Sequence, residues 1–439
     1  MEKNYKNVSS FEIQSKQELI LDIDEHQQKE HRHDKSIDTE NNKKASDFQC
    51  LMISIKLFFG LSYLSIPNTF SLGGVIGGTV MLTVVVCLNL ITMMQVLSVG
   101  NQHPGVKSYS ELGYKVFGKR GKVLVDLCIC ITQLSCCIAY QYFTASSIDF
   151  ILCQASNNNH CYGNRLFLIL IMIPVIFLSF LSSYKALSYL SIPSVIIAVM
   201  GIITIFSYSI DKIKTNEQEP FEDIQWFNLS AVLGRVGIAM HIFSGNPSIL
   251  NIQSEARNKK RYPTLLKLGV LFLLILYSLY GTVSYIAYRE KTQPIFIMSM
   301  VPMDKFIYFV FLCFAFNSMT SYPVQILTAF QIVEKLELYQ NIHAPYHLKR
   351  YLSRTLIIIS VTCISLIVPN FTDFLNISGS VGATFSCFVI PQLLYMSQYK
   401  ETIKLYEKIG CIMLLLIGIS GSVFSIHFTI NRIIHGDNH

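Results

Sequence analysis

Two apolar stretches of the chain are interrupted near their middles by residues that break helices. Residues 58–67 read FFGLSYLSIP and residues 239–248 read AMHIFSGNPS. A break inside a bilayer frees backbone groups that lipid cannot satisfy, so it is tolerated only where it lines a polar cavity or is buried in protein. Freed N–H groups attract an anion such as a carboxylate, and freed carbonyls and hydroxyls attract a cation. One such break is usually a repaired proline kink, but two in corresponding positions favour a binding site.

The breaks lie in a chain whose composition fits a membrane. Hydrophobic residues make up 51% and charged residues 14% of the 439 positions. Residues 1–47 hold 19 of the 63 charged residues, so the apolar bias belongs to the rest of the chain. This excludes a secreted disulfide scaffold, a nucleic-acid binder and a soluble enzyme with one globular core. We expect residues 1–47 to form a disordered cytoplasmic tail, because the first apolar run begins too far from the terminus for a signal peptide.

Cysteines and histidines could indicate disulfides or a metal site. Nearly all of the twelve cysteines fall inside apolar runs, and only Cys161, with Cys153 at a run's end, could face an oxidising compartment. No cysteine or histidine spacing resembles a zinc site. The histidine-rich residues 26–34 could bind a metal weakly, but a solvated tail is the simpler interpretation. We therefore predict no metal and no cofactor.

Eleven apolar runs are long enough to cross a bilayer core of about 30 Å, which takes roughly 20 residues of helix. They cover approximately residues 51–72, 74–99, 123–153, 165–183, 187–209, 229–250, 264–288, 305–335, 352–369, 374–396 and 408–431. We predict an all-α polytopic membrane domain of eleven helices over residues 48–432. The odd count puts the termini on opposite sides, so residues 433–439 form a short extracytoplasmic C-terminus.

The Lys and Arg residues of the loops predict the orientation of the domain. With the N-terminal tail inside, the inner loops carry 18 basic residues and the outer segments carry 7. The N-terminus is therefore predicted to be cytoplasmic. Asn370, in the sequence Asn-Phe-Thr, then lies on the outer side as a glycosylation acceptor.

The interrupted runs are the first and the sixth, so each opens a set of five helices. Because five is odd, the second set is inverted relative to the first, and the eleventh helix stands outside the repeat. This pattern is typical of inverted-repeat secondary transporters, in which broken helices form the binding site near the bilayer midplane.

Motifs spread over residues 51–430 resemble the amino acid/auxin permease family, within the superfamily of the five-plus-five inverted repeat. They are SYSELG at 108–113 and VFGKRG at 116–121, Gln133, Cys137 and Tyr140, NPSIL at 246–250, Tyr277, Gly281 and Tyr285, SYPVQ at 321–325, IVE at 332–334, and Arg354, Thr355, VPN at 368–370, Gly379, Gly382, Pro391 and Tyr395. The resemblance implies carriers of small neutral amino acids or related solutes, driven usually by protons and in some branches by sodium.

The chain departs from the family pattern at both breaks. Phe58 stands where an asparagine is usual, Ser62 stands at the second glycine position, and Asn246 stands where a histidine is frequent. The missing amide at position 58 removes a possible coordinating oxygen, and the serine narrows the backbone approach. Both the substrate and the coupling ion are therefore open at this point.

The resemblance places a central site between the first, third, sixth and eighth helices. The predicted substrate-binding residues are Gly60, Leu61, Ser62, Tyr63, Tyr140, Ser244, Gly245 and Asn246. The first four lie at the first break, where a glycine turn would present backbone N–H groups to a carboxylate. The last three lie at the sixth-run break, where oxygens would hold the amine. The tyrosine of the third helix would close the pocket, or serve as an ordinary core residue.

Other polar residues could couple transport to an ion. His241 lies one turn before the sixth-run break and titrates in the physiological range, which suits proton coupling or gating, although a packing histidine is the alternative. Asn317, Thr320 and Ser321 offer oxygens where relatives of this architecture place a sodium site, or bond between helices. Arg235 is close to the outer end of its run, so we expect its side chain to extend to the outer surface rather than face the interior.

These observations predict a secondary active transporter of small neutral amino acids, working by alternating access and coupled to protons rather than sodium. The alternative is an amino-acid sensor that signals through its tail. An intramembrane acyltransferase using His241 lacks a paired motif, so no enzyme activity is expected. The expected partners are the amino acid, protons and the lipid bilayer, without nucleic acid. The sequence leaves open whether the membrane is plasma, vacuolar or lysosomal.

Overall fold

The computed structural model describes residues 44–157, 161–180, 184–215, 224–341, 345–368 and 370–435, and in this part of the chain the regular elements are helices. The α-helices are α1 (Asp47–Phe58), α2 (Ile66–Gly73), α3 (Val75–Asn101), α4 (Tyr109–Ala155), α5 (Asn164–Ser179), α6 (Tyr184–Thr215), α7 (Leu229–Gly234), α8 (Val236–Ile242), α9 (Asn246–Glu255), α10 (Tyr262–Tyr288), α11 (Lys305–Glu334), α12 (Glu337–Gln340), α13 (Tyr346–Ile367), α14 (Phe371–Ser378), α15 (Ile390–Gln398) and α16 (Leu405–His435). The predicted all-α class is confirmed. Residues 1–43 and 436–439, and with them most of the predicted tail and C-terminus, lie outside the described residues.

Every predicted apolar run contains helix, but length and composition alone do not give eleven spans. Eight described helices are long and apolar enough to cross a membrane, and the bent pair at the first run makes nine. The fourth run forms α5, which is only 16 residues long, and the sixth run is divided into α7, α8 and α9. The count of eleven therefore stays a prediction.

The first run is broken where the sequence predicts it. Ser46 begins α1 as an N-cap with a capping box formed with Gln49, and α1 ends at Phe58. A 3₁₀ segment, Leu61–Ser65, then leads into α2, and the two halves are bent by 46°. The proline at position 67 fits here because the first turn of a helix needs no N–H partner.

Main-chain hydrogen bonds join the start of the first broken run to the end of the sixth. Ala45 donates its N–H to the Glu255 carbonyl at 2.9 Å and accepts from the Arg257 N–H at 2.9 Å. In addition, the Ser54 hydroxyl lies 3.4 Å from the Tyr262 hydroxyl. The segment before α1 therefore fixes the first break relative to the end of α9.

The direction of the Arg235 side chain differs from the one predicted from the sequence. Its side chain is 0% exposed and does not reach the outer surface, because it forms an ion pair of 2.6 Å with Asp373 of α14, which is 2% exposed. Arg432 of α16 lies 3.8 Å from the same carboxylate oxygen. Sequence distance from the helix end could not reveal this partner, which is 138 residues away.

The predicted oxidisable cysteines lie at the end of the fold that the sequence predicts to be outer. Cys153 and Cys161 form a disulfide between the end of α4 and the segment before α5. Disulfides persist in oxidising compartments, which fits the predicted orientation of this side. Asn370, the predicted glycosylation acceptor, caps α14: its Oδ1 accepts from the Asp373 N–H at 2.8 Å and its Nδ2 donates to the Asp373 carboxylate. The glycan remains a prediction, and the cap is a competing use of the same amide.

Candidate functional site

The two breaks meet at a cavity of about 100 Å³ inside the helix bundle. Its wall is formed by Leu57, Phe58, Gly60, Leu61 and Ser62 from the first break, Ile129, Thr132, Gln133, Cys136, Ala139 and Tyr140 from α4, His241, Ile242, Ser244, Pro247 and Ser248 from the sixth-run break, and Gln325 from α11. These four elements are the ones that the sequence predicts around a central site. We call this space the central cavity.

The first break presents the start of a helix to the central cavity. Leu61, Ser62 and Tyr63 open the 3₁₀ segment, and the first amides of a helix have no intrahelical acceptors. Ser62 is half-buried at the cavity wall, whereas every residue from Tyr63 to Phe70 is buried. Gly60 has an extended backbone, and a Cβ built there would meet no atom within 4 Å, so any larger residue would project into open space. Leu61 and Ser62, which open the 3₁₀ segment, line the central cavity, and the role of their amides stays a prediction.

The Tyr63 side chain lies on the other side of the break. Its ring stacks on Tyr277 of α10 at 6.2 Å between centroids, and it packs edge-on against Tyr280 at 5.7 Å. This aromatic cluster supports the broken segment from behind. Tyr63 can therefore contribute its backbone to the central cavity, but its side chain does not line it.

Phe58 joins the two breaks directly. A Cβ on Gly245 would lie 2.5 Å from the Phe58 ring, so glycine is needed at this close approach. The Phe58 carbonyl, freed at the end of α1, accepts a hydrogen bond of 2.9 Å from the Tyr277 hydroxyl. The carbonyl side of the first break is thus already satisfied by protein at this position.

The sixth-run break divides its predicted residues between two surfaces. Ser244 lines the central cavity and donates its hydroxyl to the His241 carbonyl at 2.8 Å. Asn246 is 0% exposed and points away from the cavity, because its Nδ2 donates to the Thr92 hydroxyl at 3.1 Å and to the Cys387 carbonyl at 3.3 Å. The amine contact predicted for Asn246 is therefore not available from its side chain in this geometry.

His241 is on the cavity wall, as expected for a coupling or gating group. It is 7% exposed, and its Nδ1 lies 3.3 Å from the Ser378 hydroxyl of α14. Which of the two atoms donates depends on the tautomer of the ring. The histidine thus connects the cavity to the start of the tenth apolar run.

One face of α4 supplies residues that the sequence reasoning largely missed. Thr132, Cys136 and Tyr140 are spaced by four residues and therefore lie on the same side of the helix. That spacing of polar residues was visible in the sequence, but only Tyr140 was predicted. Gln325 of α11 lines the same cavity, beside Tyr140. Its contribution could not be inferred without knowing how α11 packs.

The predicted ion-binding residues line a second, larger space. A cavity of about 700 Å³, mostly apolar, lies between α1, α6, α10 and α11 and includes Asn317, Thr320 and Ser321. It shares Gly60 and Tyr140 with the central cavity. The Thr320 hydroxyl donates to the Asn317 carbonyl at 3.0 Å and the Ser321 hydroxyl to the Asn317 Oδ1 at 3.4 Å, so these oxygens bond within α11.

The residues that form the wall of the central cavity determine its charge. None of the residues that line it is Asp, Glu, Lys or Arg. Lys56 lines the larger space next to it. An uncharged cavity between two helix breaks suits a solute whose own charges cancel, because buried ionic groups need partners.

Comparison with known proteins agrees with the family resemblance noted in the sequence. Residues 43–431 match the family model for "Transmembrane amino acid transporter protein". The chain is 24% identical over 378 residues to an amino acid transporter, AVT3B, of Arabidopsis thaliana, covering 83% of this chain and 89% of that one. It is 23% identical over 373 residues to vacuolar amino acid transporter 4 of Saccharomyces cerevisiae, covering 79% of this chain and 52% of that one.

Solved structures show the same architecture at low identity. The inward-facing conformation of Mhp1 aligns with a TM-score of 0.58 at 11% identity, covering 90% of this chain and 92% of that one. MhsT in complex with L-phenylalanine aligns with a TM-score of 0.54 at 12% identity, covering 87% and 98%. These likenesses confirm the predicted fold class of a broken-helix transporter.

Proposed function

The chain belongs to the family of transmembrane amino acid transporter proteins, and we propose that it carries small neutral amino acids by proton-coupled secondary transport. The observation that supports this most is the uncharged central cavity between two helix breaks. Members of the family are transporters and not enzymes, as the sequence predicts. The sensor alternative gains no support from the relatives, which are named as transporters.

We place the substrate carboxylate at the start of the 3₁₀ segment. Charge-assisted hydrogen bonds from the amides of Leu61, Ser62 and Tyr63 would hold it, helped by the positive end of the helix dipole. The amine would lie toward Ser244 and Ser248, whose hydroxyl oxygens belong to the same wall. A volume near 100 Å³ is small for a ligand pocket, which favours a short side chain.

Proton coupling is favoured over sodium by the oxygens that are already used. The Phe58 carbonyl accepts from Tyr277, and the α11 hydroxyls bond to Asn317 of their own helix. A sodium ion would have to compete with these contacts. His241 lies on the wall and offers an ionisable ring as a proton acceptor.

Alternating access would let the central cavity open to each side in turn. The hydrogen bonds of Ala45 with Glu255 and Arg257 would have to loosen when the inner side opens.

We also propose eleven spans with the tail in the cytosol, supported by the loop charges and by the disulfide on the opposite side. Relatives named as vacuolar transporters support a vacuolar-type membrane, and protease access to the tail in intact organelles would test the orientation.

Cys136 gives a direct test of the cavity as the substrate site. It is a free cysteine on the cavity wall, so a small thiol reagent should label it slowly at alkaline pH, and a bound amino acid should block the reagent. At a substrate concentration ten times its Kd, labelling should slow about tenfold by simple occupancy. The measurement is mass spectrometry of Cys136 labelling in the purified protein, with and without neutral amino acids.

Two controls accompany this experiment. The Cys136→Ser variant should lose the protected label, and Cys128, a buried cysteine of α4 that does not line the cavity, should show no substrate effect. Equal labelling of Cys136 with and without every neutral amino acid tested, in a protein that still transports, would place the substrate elsewhere.

A further inference from the structure

A line of polar side chains runs along α3 through the half of the protein predicted to be inner. Asn89, Thr92, Gln95, Ser98 and Gln102 follow one another at spacings of three or four residues, so each lies beside the next in a stripe that winds partly around the helix. Thr92 faces the sixth-run break, and from Gln95 onward the stripe faces α15 and the residue after it. We call this line and its partners the polar seam.

Hydrogen bonds join the two sides of the polar seam at successive levels. Gln392 donates to the Gln95 Oε1 at 2.8 Å, the hydroxyls of Ser98 and Tyr399 lie 2.8 Å apart, and His103 Nε2 lies 2.9 Å from the Gln398 Oε1. The last pair is at the end of α3, near the inner loops. The seam therefore leads from the bilayer middle to the face predicted to be cytosolic.

The deep end of the polar seam touches the back of the central cavity. Asn246 donates to Thr92 and to the Cys387 carbonyl, while Ser244 and Pro247 on either side of it in the chain line the cavity. The sixth-run break thus presents one residue to the seam and its neighbours to the substrate space. A movement of the sixth-run break would therefore displace residues on both surfaces.

Several amide atoms of the polar seam need further partners. Asn89 Nδ2 and Oδ1, Asn246 Oδ1 and Gln392 Oε1 have no hydrogen-bond partner among the described residues, and all three side chains are 0% exposed. Buried polar atoms are normally satisfied by protein or by ordered water. Three of the four atoms are acceptors, so the ligand must chiefly donate hydrogen bonds. Water does this, and a hydrated proton does it more strongly.

We propose that the polar seam holds a file of ordered water that carries protons between the sixth-run break and the cytosolic face, separately from the amino acid path. This rests on the proposed proton-coupled transport. Each water accepts a proton from one neighbour and gives one of its own protons to the next neighbour, breaking that O–H bond. One proton therefore enters the file as another leaves it. The amide oxygens stabilise the extra charge. Among the titratable side chains, His103, Tyr399 and Cys411 bond to seam residues, Tyr395 packs against Tyr399 with Glu407 nearby, and Cys387 and Tyr109 lie beside the deep end.

The test fills the polar seam with apolar side chains of similar size. In liposomes, the double variant Asn89→Leu with Gln392→Leu should still exchange internal for external amino acid, because neither residue lines the central cavity. Proton entry per amino acid taken up, followed with an internal pH dye, should fall about tenfold, the change that corresponds to a transfer barrier raised by roughly 1.4 kcal/mol. A merely structural role would lower exchange and proton entry together.

The matched control is Gln141→Leu. Gln141 is a buried amide that bonds to Thr362 and Ser365 between α4 and α13, outside the seam. It should leave proton entry per amino acid unchanged. If the wild type takes up amino acid without any proton entry, the proposed coupling itself fails. If the wild type couples and the double variant keeps the same ratio, the polar seam is not the proton route.

A second measurement covers the case in which the double variant does not fold. A high-resolution map of the unaltered protein should show ordered water within hydrogen-bonding distance of Asn89, Asn246 and Gln392. A dry seam in such a map, with these amides satisfied by protein, would overturn the proposal without any variant.

Discussion

Replacing Ser62 with leucine is expected to weaken amino acid binding by at least about tenfold. Ser62 is the half-buried residue at the start of the 3₁₀ segment, and its side chain borders the central cavity. Leucine would fill the space through which the carboxylate reaches the backbone N–H groups. Each charge-assisted hydrogen bond lost is worth roughly 1.5–3 kcal/mol, and about 1.4 kcal/mol is a factor of ten in affinity. The measurement is direct binding of a labelled amino acid to purified protein.

Two further variants make the Ser62 result interpretable. Ser62→Gly should bind at least as well as the wild type, because it widens the same approach and matches the residue that the family resemblance predicts. Ser360→Leu introduces the same change on the exposed face of α13, away from both cavities, and should leave binding unchanged. A monodisperse Ser62→Leu protein with normal affinity would mean that the first break does not hold the carboxylate.

Replacing Asp373 with asparagine is expected to lower stability by about 3–5 kcal/mol, the usual cost of breaking a buried ion pair by removing one partner. The variant keeps the shape of the side chain but leaves Arg235, which is 0% exposed, without its counter-charge. Arg432 lies near the same oxygen, so two cations would then face each other across a neutral amide. The midpoint of thermal unfolding in detergent should fall markedly.

The control for this prediction removes both charges. Arg235→Met combined with Asp373→Asn should recover much of the lost stability, because Arg235 is then no longer a buried charge without its partner. Substrate binding should survive in the double variant, since neither residue lines the central cavity. A single variant as stable as the wild type would show that the Arg235–Asp373 pair does not hold α14 against the sixth run.

The sequence was sufficient for the breaks because they are local. Glycine, serine and proline inside apolar runs dictate where a helix must stop, and the structure ends α1 at Phe58 and begins α9 at Asn246. Because the broken runs are the first and the sixth, they predict an inverted repeat. The similarity to solved transporters confirms the fold. The number of spans was harder to predict, since a run that is divided into short helices contains no single helix long enough to be counted as a span.

Side-chain direction was the part that local patterns could not give. Asn246 was expected at the substrate, but its side chain faces Thr92, which is 154 residues away in the chain. Arg235 was expected at the surface, but it pairs with Asp373. Both outcomes depend on which helix packs beside the sixth run. By contrast, the polar stripe of α3 could have been predicted from its spacing, and it was overlooked because its residues are uncharged.

Uptake by the purified protein in liposomes tests the central claim most directly. A labelled neutral amino acid should accumulate against its gradient when the proton gradient is directed inward, with sodium replaced throughout by choline, and accumulation should stop when the proton gradient is dissipated. At a label concentration well below the wild-type Kd, a matched set of Ser62→Leu liposomes should take up the label at least about tenfold more slowly. Accumulation that requires sodium and ignores the proton gradient, or no uptake of any amino acid by well-folded protein, would contradict the account.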